Sequence, residues 1–189
     1  MGEVGIINRL FHAGMETLHL RKPAYSQDIL QNMLHDIEQA YHPRIVLHDH
    51  FELVKPFSLA GVHLNSRNTA CPSGVTAVSC GCHSLACLNG RLSTFNGLIF
   101  LSPVFDSISK VGYKKAFTDE ELLTAKKNKL INHRVVALGG MSAETIPLAA
   151  SYGFGGVAVL GDLWGEKPTI NDEKRILDKF LQLKNLTKS

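Results

Sequence analysis

The chain has 189 residues, 44% of them hydrophobic and 20% charged. That length is one domain, residues 1–189, able to bury a core without disulfide or metal staples. A net charge of +3, with nine histidines counted neutral, is too mild to indicate nucleic-acid binding. No apolar run reaches the roughly 18 residues of a membrane span. The N-terminus MGEVGIINRLFHAG has no basic segment ahead of a long apolar stretch, so a cytoplasmic protein is expected.

In chain order, EVGIINRLFHAG (3–14) reads as a helix ending at Gly14, and ETLHLRK (16–22) as a strand. SQDILQNMLHDIEQAY (26–41) reads as an amphipathic helix capped by Ser26, with Ile29, Met33 and Ile37 on its apolar stripe. RIVLHDH (44–50) is a strand, followed by a short helical connector interrupted by Pro56. GVHLNS (61–66) and TAVSCGC (76–82) are strands, and Ser84 caps the helix after them. GLIFLSPVF (97–105) is a continuous apolar run, as in a strand buried on both faces. TDEELLTAKKNKLI (118–131) is a helix capped by Thr118, acidic at its start and basic at its end, which complements the helix dipole. Lys126, Lys127 and Lys129 form a solvated face. RVVALGG (134–140) is a strand, SAETIPLAASYGF (142–154) a helix with Ser142 as N-cap, GGVAVLGD (155–162) a strand and NDEKRILDKFLQLKNL (171–186) the last helix.

Strands that alternate with helices imply parallel strands joined by crossover helices. Polar residues at the C-terminal ends of the strands favour a barrel over a doubly wound sheet. The four cysteines, Cys71, Cys80, Cys82 and Cys87, crowd into one segment. They read as buried or site-adjacent thiols, because Cys80, Cys82 and His83 fit no common zinc spacing.

Four groups can carry chemistry. Gly139–Gly140 and Gly161–Asp162 each end a strand ahead of a helix, where glycine lets backbone N–H groups approach a phosphate. Ser107, Ser109 and Lys110 put two hydroxyls and an ammonium on one loop, which suits an anionic substrate. His19, His48, His50, His63 and His83 stand at or near strand ends. His48 and His50 share a face by strand alternation, so a zinc hydrolase using His48, His50 and His83 is one reading. His63, inside an apolar run, reads as a hydrogen-bonded core residue, whereas His83 precedes a helix cap, a place that suits a neutral acid/base ring. Arg21 shares a face with His19, and there its guanidinium can grip an anion.

Together these motifs resemble thiamine phosphate synthase and its TenI-like relatives, TIM-type (β/α)8 barrels of the thiamin pathway. GVHLNSRN, SCGCHSLACL, FLSPVFDSISK, VVALGGMSAET and GVAVLGD carry the resemblance, in order along the whole chain. It implies a phosphate site at Gly139, Gly140, Leu160 and Gly161, and a pyrophosphate loop at Ser107, Ser109 and Lys110. It also implies a magnesium-binding aspartate at Asp49 and a substrate-binding arginine at Arg21. His19 stands where the family has glutamine, Pro23 where it has lysine, Asn68 where it has a second magnesium aspartate, and Gly81 where it has serine. His83 falls on the acid/base position of the TenI-like thiazole tautomerases. Those departures weaken a magnesium–diphosphate site, and tautomerisation needs only proton transfer and phosphate anchoring, so the tautomerase is favoured slightly over the synthase. Mg²⁺ is the implied cofactor of a synthase, and a tautomerase needs none. The implied partners are a thiazole phosphate and, for a synthase, a pyrimidine diphosphate, with no nucleic acid, no membrane, and a homo-oligomer as the assembly. A non-catalytic regulatory homologue is the remaining alternative. Seven strands are legible against the family's eight, and the expected gap is the first strand, ahead of residues 3–14.

Overall fold

The computed structural model describes residues 2–106, 114–165 and 168–187. Its strands are β1 (Leu18–Leu20), β2 (Ile45–Leu47), β3 (Gly61–Leu64), β4 (Ala77–Cys82), β5 (Leu98–Leu101), β6 (Val135–Leu138) and β7 (Gly156–Ala158). Its helices are α1 (Gly2–His12), α2 (Gln27–Asp36), α3 (Leu85–Thr94), α4 (Asp119–Lys127), α5 (Thr145–Ser151), α6 (Gly161–Trp164) and α7 (Glu173–Leu186). The strands are hydrogen-bonded in sequence order from β1 to β7. The pairings β1–β2, β2–β3, β3–β4, β5–β6 and β6–β7 are all parallel. Sequential order is the winding of a TIM-type fold, because a doubly wound sheet reverses its order at a switch point.

The chain forms two compact units. The first comprises Met1–Cys80 and Thr169–Glu173, the second Gly81–Pro168 and Lys174–Ser189. In the first unit, α1 buries Ile6, Ile7, Leu10 and Phe11, a spacing of three and four that lays one apolar stripe along the helix. Leu18 stands opposite Ile45, His19 opposite Val46 and Leu20 opposite Leu47. Val46 stands in turn opposite Gly61. Ile45 and Leu47 on one face and Val46 on the other are all buried, as in a strand covered on both faces.

α2 departs from its expected pattern. Ser26 caps it and accepts a hydrogen bond from the Ile29 N–H, but Ile29 itself is 52% exposed. The buried stripe is Leu30, Met33, Leu34 and Ile37. That i, i+3, i+4, i+7 set follows the 3.6-residue turn, whereas a run of i+4 steps drifts around the helix. The helix also stops at Asp36, because Ile37 is extended and a 3-10 turn containing Pro43 spans Gln39–Arg44. Leu34 has 0% exposure. Leu34→Ala is therefore expected to cost about 2–5 kcal/mol of stability, read from urea unfolding midpoints. A loss below about 1 kcal/mol would mean that α2 is not packed as described.

In the second unit, Ser84 caps α3 by accepting from the Cys87 N–H. Thr118 caps α4, as the sequence predicts, and closes a capping box with Glu121. Two expected boundaries move. α5 begins at Thr145 with Glu144 as N-cap, and the Ser142 hydroxyl, just ahead of it, accepts from the Glu144 N–H and donates to the Glu144 carboxylate. β7 ends at Ala158, so Gly161 and Asp162 open the short α6 instead of ending a strand. Among the described residues, no helix is long and apolar enough to cross a membrane.

Candidate active site

The β1–β2–β3 register decides which side chains of the first unit meet. His19 stands opposite Val46, and Val46 opposite Gly61. Counting two residues on, which returns to the same face, places His48 level with His63. The His48 and His63 rings accordingly stack at 4.2 Å with 13° between their planes. The His19 ring meets both edge-on, at 5.3 Å and 5.6 Å. His19 Nδ1 lies 3.1 Å from His48 Nε2. Burial pushes all three pKa values down. His63 falls to about 4. His19 falls to about 3, through burial and then the charge of His63. His48 falls to about 2, through burial, then His63, His19, Arg21 and Arg67. Arg21, exposed just past β1, adds its charge to the lowering at His48. Lys22 faces elsewhere and pairs with Glu3 at 2.6 Å.

Beside this face sits Asp49. Its Oδ1 accepts from Arg67 at 3.0 Å and from the Asn68 amide at 3.4 Å. Its Oδ2 is buried and has no hydrogen-bond partner among the described residues. Asn65 Oδ1 accepts from the Arg67 and Asn68 N–H groups, and the Asn65 and Asn68 side-chain amides donate to the His48 carbonyl, which fixes this loop against the end of β2. A buried carboxylate oxygen without a donor is costly unless a cation or a bound donor meets it. Asn68 is therefore adjacent to Asp49, where the sequence places the weakened second magnesium position.

His63 is a buried, hydrogen-bonded residue as expected, with Nδ1 2.9 Å from Ser79 Oγ. The expected zinc set of His48, His50 and His83 is not what converges. His50 adopts a left-handed conformation and turns Nε2 to the Tyr25 carbonyl at 2.8 Å. Among the described residues the converging set is His19, His48 and His63. The sequence alternation carried a signal for this set in His19 and His48, but strand register was needed to add His63.

In the second unit, His83 follows β4. Its Nδ1 lies 2.9 Å from the Ser102 carbonyl and 3.2 Å from the Ser102 hydroxyl. A carbonyl only accepts, so Nδ1 carries the proton and the lone pair is on Nε2. Ser102 is itself fixed, donating its N–H to the Cys82 carbonyl at 3.0 Å. The thiol expectation changes here. Cys82 and Cys87 are joined in a disulfide, because the turn through His83 and Ser84 brings their Cα atoms to 5.8 Å.

Gly139 and Gly140 both have positive φ, 96° and 64°. A Cβ on Gly139 would stand 2.9 Å from Pro103 Cα, and one on Gly140 2.7 Å from Phe105 Cβ. The close approach of residues 103–106 therefore requires glycine at both positions, independently of any ligand. The Gly139 carbonyl accepts from Phe105 N–H, and the Gly140 carbonyl from the Thr145 hydroxyl at 2.8 Å. At the other loop, Leu160 is 61% exposed, and Asp162 pairs with Lys179 at 2.9 Å just after Gly161. Ser107, Ser109 and Lys110 lie outside the described residues.

Residues 3–163 match the family model described as thiamine monophosphate synthase. A curated relative, thiamine-phosphate synthase from Enterobacter sp. (strain 638), is 29% identical over 168 residues, covering 82% of this chain and 77% of the relative. The crystal structure of thiamine phosphate pyrophosphorylase from Bacteroides thetaiotaomicron is 37% identical, with a TM-score of 0.88 over 100% of this chain and 92% of that one. A thiamine phosphate pyrophosphorylase from Pyrococcus furiosus shares the fold at 14% identity, with a TM-score of 0.73 over 98% of this chain and 89% of that one. With its TIM-type strands in sequential order and the family match spanning most of its length, this chain belongs to the thiamine monophosphate synthase family of enzymes.

Proposed function

We propose that this protein is a thiamine phosphate synthase, joining a pyrimidine methyl diphosphate to a thiazole ethyl phosphate. The observation that carries this reading is Asp49, a part-buried carboxylate with one oxygen lacking a donor. A tautomerase has no evident use for such a group, whereas a diphosphate enzyme does. The relatives named as synthases or pyrophosphorylases support the same choice, which reverses the slight preference for the tautomerase drawn from the sequence.

In the reaction, the carbon–oxygen bond between the pyrimidine methylene and the diphosphate breaks. The thiazole nitrogen bonds to that methylene, and diphosphate leaves with the bonding electron pair. Arg21 and Lys110 attract the charge that grows on the departing diphosphate. His19 borders the pyrimidine side, and the loops at Gly139–Gly140 and Leu160–Gly161 anchor the thiazole phosphate through backbone N–H groups. The residues present fit a magnesium ion, since such a site needs only one or two carboxylates plus substrate phosphates. Asp49 would hold it, with Asn68 as a neutral oxygen donor in place of the second aspartate. When bound, the ion neutralises charge on the diphosphate oxygens. A diphosphate does not cross a bilayer unaided, so the reading puts the protein in the cytoplasm. Pyrophosphate release should require both substrates together with Mg²⁺. Release from the pyrimidine diphosphate alone at the same rate would make the protein a hydrolase instead.

One observation favours the tautomerase as a second reading. Ser102 fixes the His83 tautomer, leaving Nε2 as a base without competition from Nδ1. If His83 shuttles a proton in this protein, His83→Gln lowers thiazole isomerisation by about 10²–10⁴-fold. If it only supports the loop, synthase turnover changes by less than about tenfold and isomerisation is absent in the wild type as well.

A further inference from the structure

The magnesium side of the protein is made of oxygen donors, but the first unit also carries a separate set of nitrogen donors. His19, His48 and His63 come from three neighbouring strands, β1, the end of β2, and β3. Their ligand-capable nitrogens all lie within 4.8 Å of one another. We propose that these three imidazoles form a binding site for a divalent transition cation of the zinc class, with a fourth position open to water or a ligand.

The distances suit this. Zinc–nitrogen bonds of about 2.0–2.1 Å on a tetrahedron put neighbouring nitrogens about 3.3–3.4 Å apart. His19 Nδ1 and His48 Nε2 are already 3.1 Å apart. His63 completes the set when its ring, stacked on His48 at 13°, tilts so that both lone pairs meet one ion across a gap of at most 4.8 Å. A ligand histidine is usually oriented by a hydrogen bond from its other ring nitrogen. His63 has that support, because its Nδ1 faces the Ser79 hydroxyl at 2.9 Å, and with Nδ1–H donating to that hydroxyl the lone pair is on Nε2. Ser79 is 1% exposed, so the support is sheltered from water.

Neutral imidazole is the form that ligates, and an ordinary imidazole is already mostly neutral at physiological pH. With His19 and His48 neutral, one proton lies between Nδ1 and Nε2 in the metal-free protein. Metal entry moves that proton to the other nitrogen of the same ring, with no net loss. An all-imidazole donor set selects zinc, nickel, cobalt or copper over magnesium, which prefers oxygen. Two cations of different hardness can therefore be told apart at Asp49 and at the histidines.

The test uses the full chain, stripped of metal by chelation, desalted and titrated with Zn²⁺ or Co²⁺ at neutral pH. One equivalent of Zn²⁺ is expected to remain after desalting, undisturbed by millimolar Mg²⁺. Co²⁺ is expected to give the intense visible bands of four-coordinate cobalt. His19→Gln, His48→Asn and His63→Gln are each expected to weaken binding by at least about 100-fold, and Ser79→Ala by about 10–100-fold while leaving all three rings in place. Circular dichroism identifies any variant that fails to fold, and Ser79→Ala with the wild-type cobalt spectrum then decides. Retention of less than a tenth of an equivalent by the wild type would overturn the proposal. So would six-coordinate cobalt, or binding unchanged in the folded variants.

Discussion

Asp49→Asn is expected to reduce thiamin phosphate formation by about 10²–10³-fold while leaving the fold intact, the size of effect seen when one electrostatic stabiliser is removed from an active site. The substitution is close to isosteric. It keeps an oxygen that can accept from Arg67 and Asn68, the two donors now on Oδ1. What it removes is the negative charge and the second oxygen, the atom without a hydrogen-bond partner among the described residues. Arg67 is 45% exposed, so losing its ion pair costs about 0–1 kcal/mol, too little to unfold a domain. Circular dichroism and urea midpoints should therefore match the wild type while turnover falls. An effect seen mainly as a raised Mg²⁺ requirement would locate the loss at the cation, and one seen mainly in kcat at the departing diphosphate. Full activity in Asp49→Asn would remove Asp49 from the mechanism.

Metal-free protein is expected to lose stability steeply as pH falls from about 6.5 towards 4. His19, His48 and His63 have folded-state pKa values of about 3, 2 and 4, against the ordinary imidazole value of 6.5. Between those limits the unfolded chain binds more protons than the folded one, so stability rises with pH and is complete above about 6.5. Each ring can contribute at most about 1.4 kcal/mol per pH unit across this window. Three rings in mutual contact share the loss, which still reaches several kcal/mol by pH 4.5, comparable to the whole stability of about 5–15 kcal/mol for a domain. Carboxylates normally titrate below this range, so an early onset is specific to the histidine face. Urea midpoints measured with a chelator from pH 8 to 4.5 check this. A flat profile down to pH 5 would mean that the rings are hydrated, and His63→Gln should flatten the slope.

Each of the seven expected strands occurs, but most are shorter than the apolar runs suggest. The run 97–105 yields only Leu98–Leu101, since Pro103 has no N–H to give to a ladder. The run 16–22 yields Leu18–Leu20, after which Arg21 is exposed and Lys22 pairs with Glu3. Sequential strand order was legible because polar residues recur at the same end of successive strands. The buried face of α2 was not, because Ile29 and Leu30 are adjacent and composition does not say which of them turns inward. Gly139 and Gly140 stood out in sequence as a phosphate turn, whereas their tight approach to Pro103 and Phe105 depends on a segment more than thirty residues away. The Cys82–Cys87 link likewise depends on the turn geometry at His83 and Ser84. The histidine face depends on strand register, which no single strand records.

The central claim is that this family member makes thiamin phosphate. The most direct measurement gives the same preparation, in parallel, pyrimidine diphosphate plus thiazole phosphate with Mg²⁺, and the thiazole carboxylate phosphate alone, and follows both products by mass. The expected result is thiamin phosphate and pyrophosphate in equal amounts, with isomerisation no faster than the uncatalysed rate. Rapid isomerisation with no thiamin phosphate formed would contradict the account.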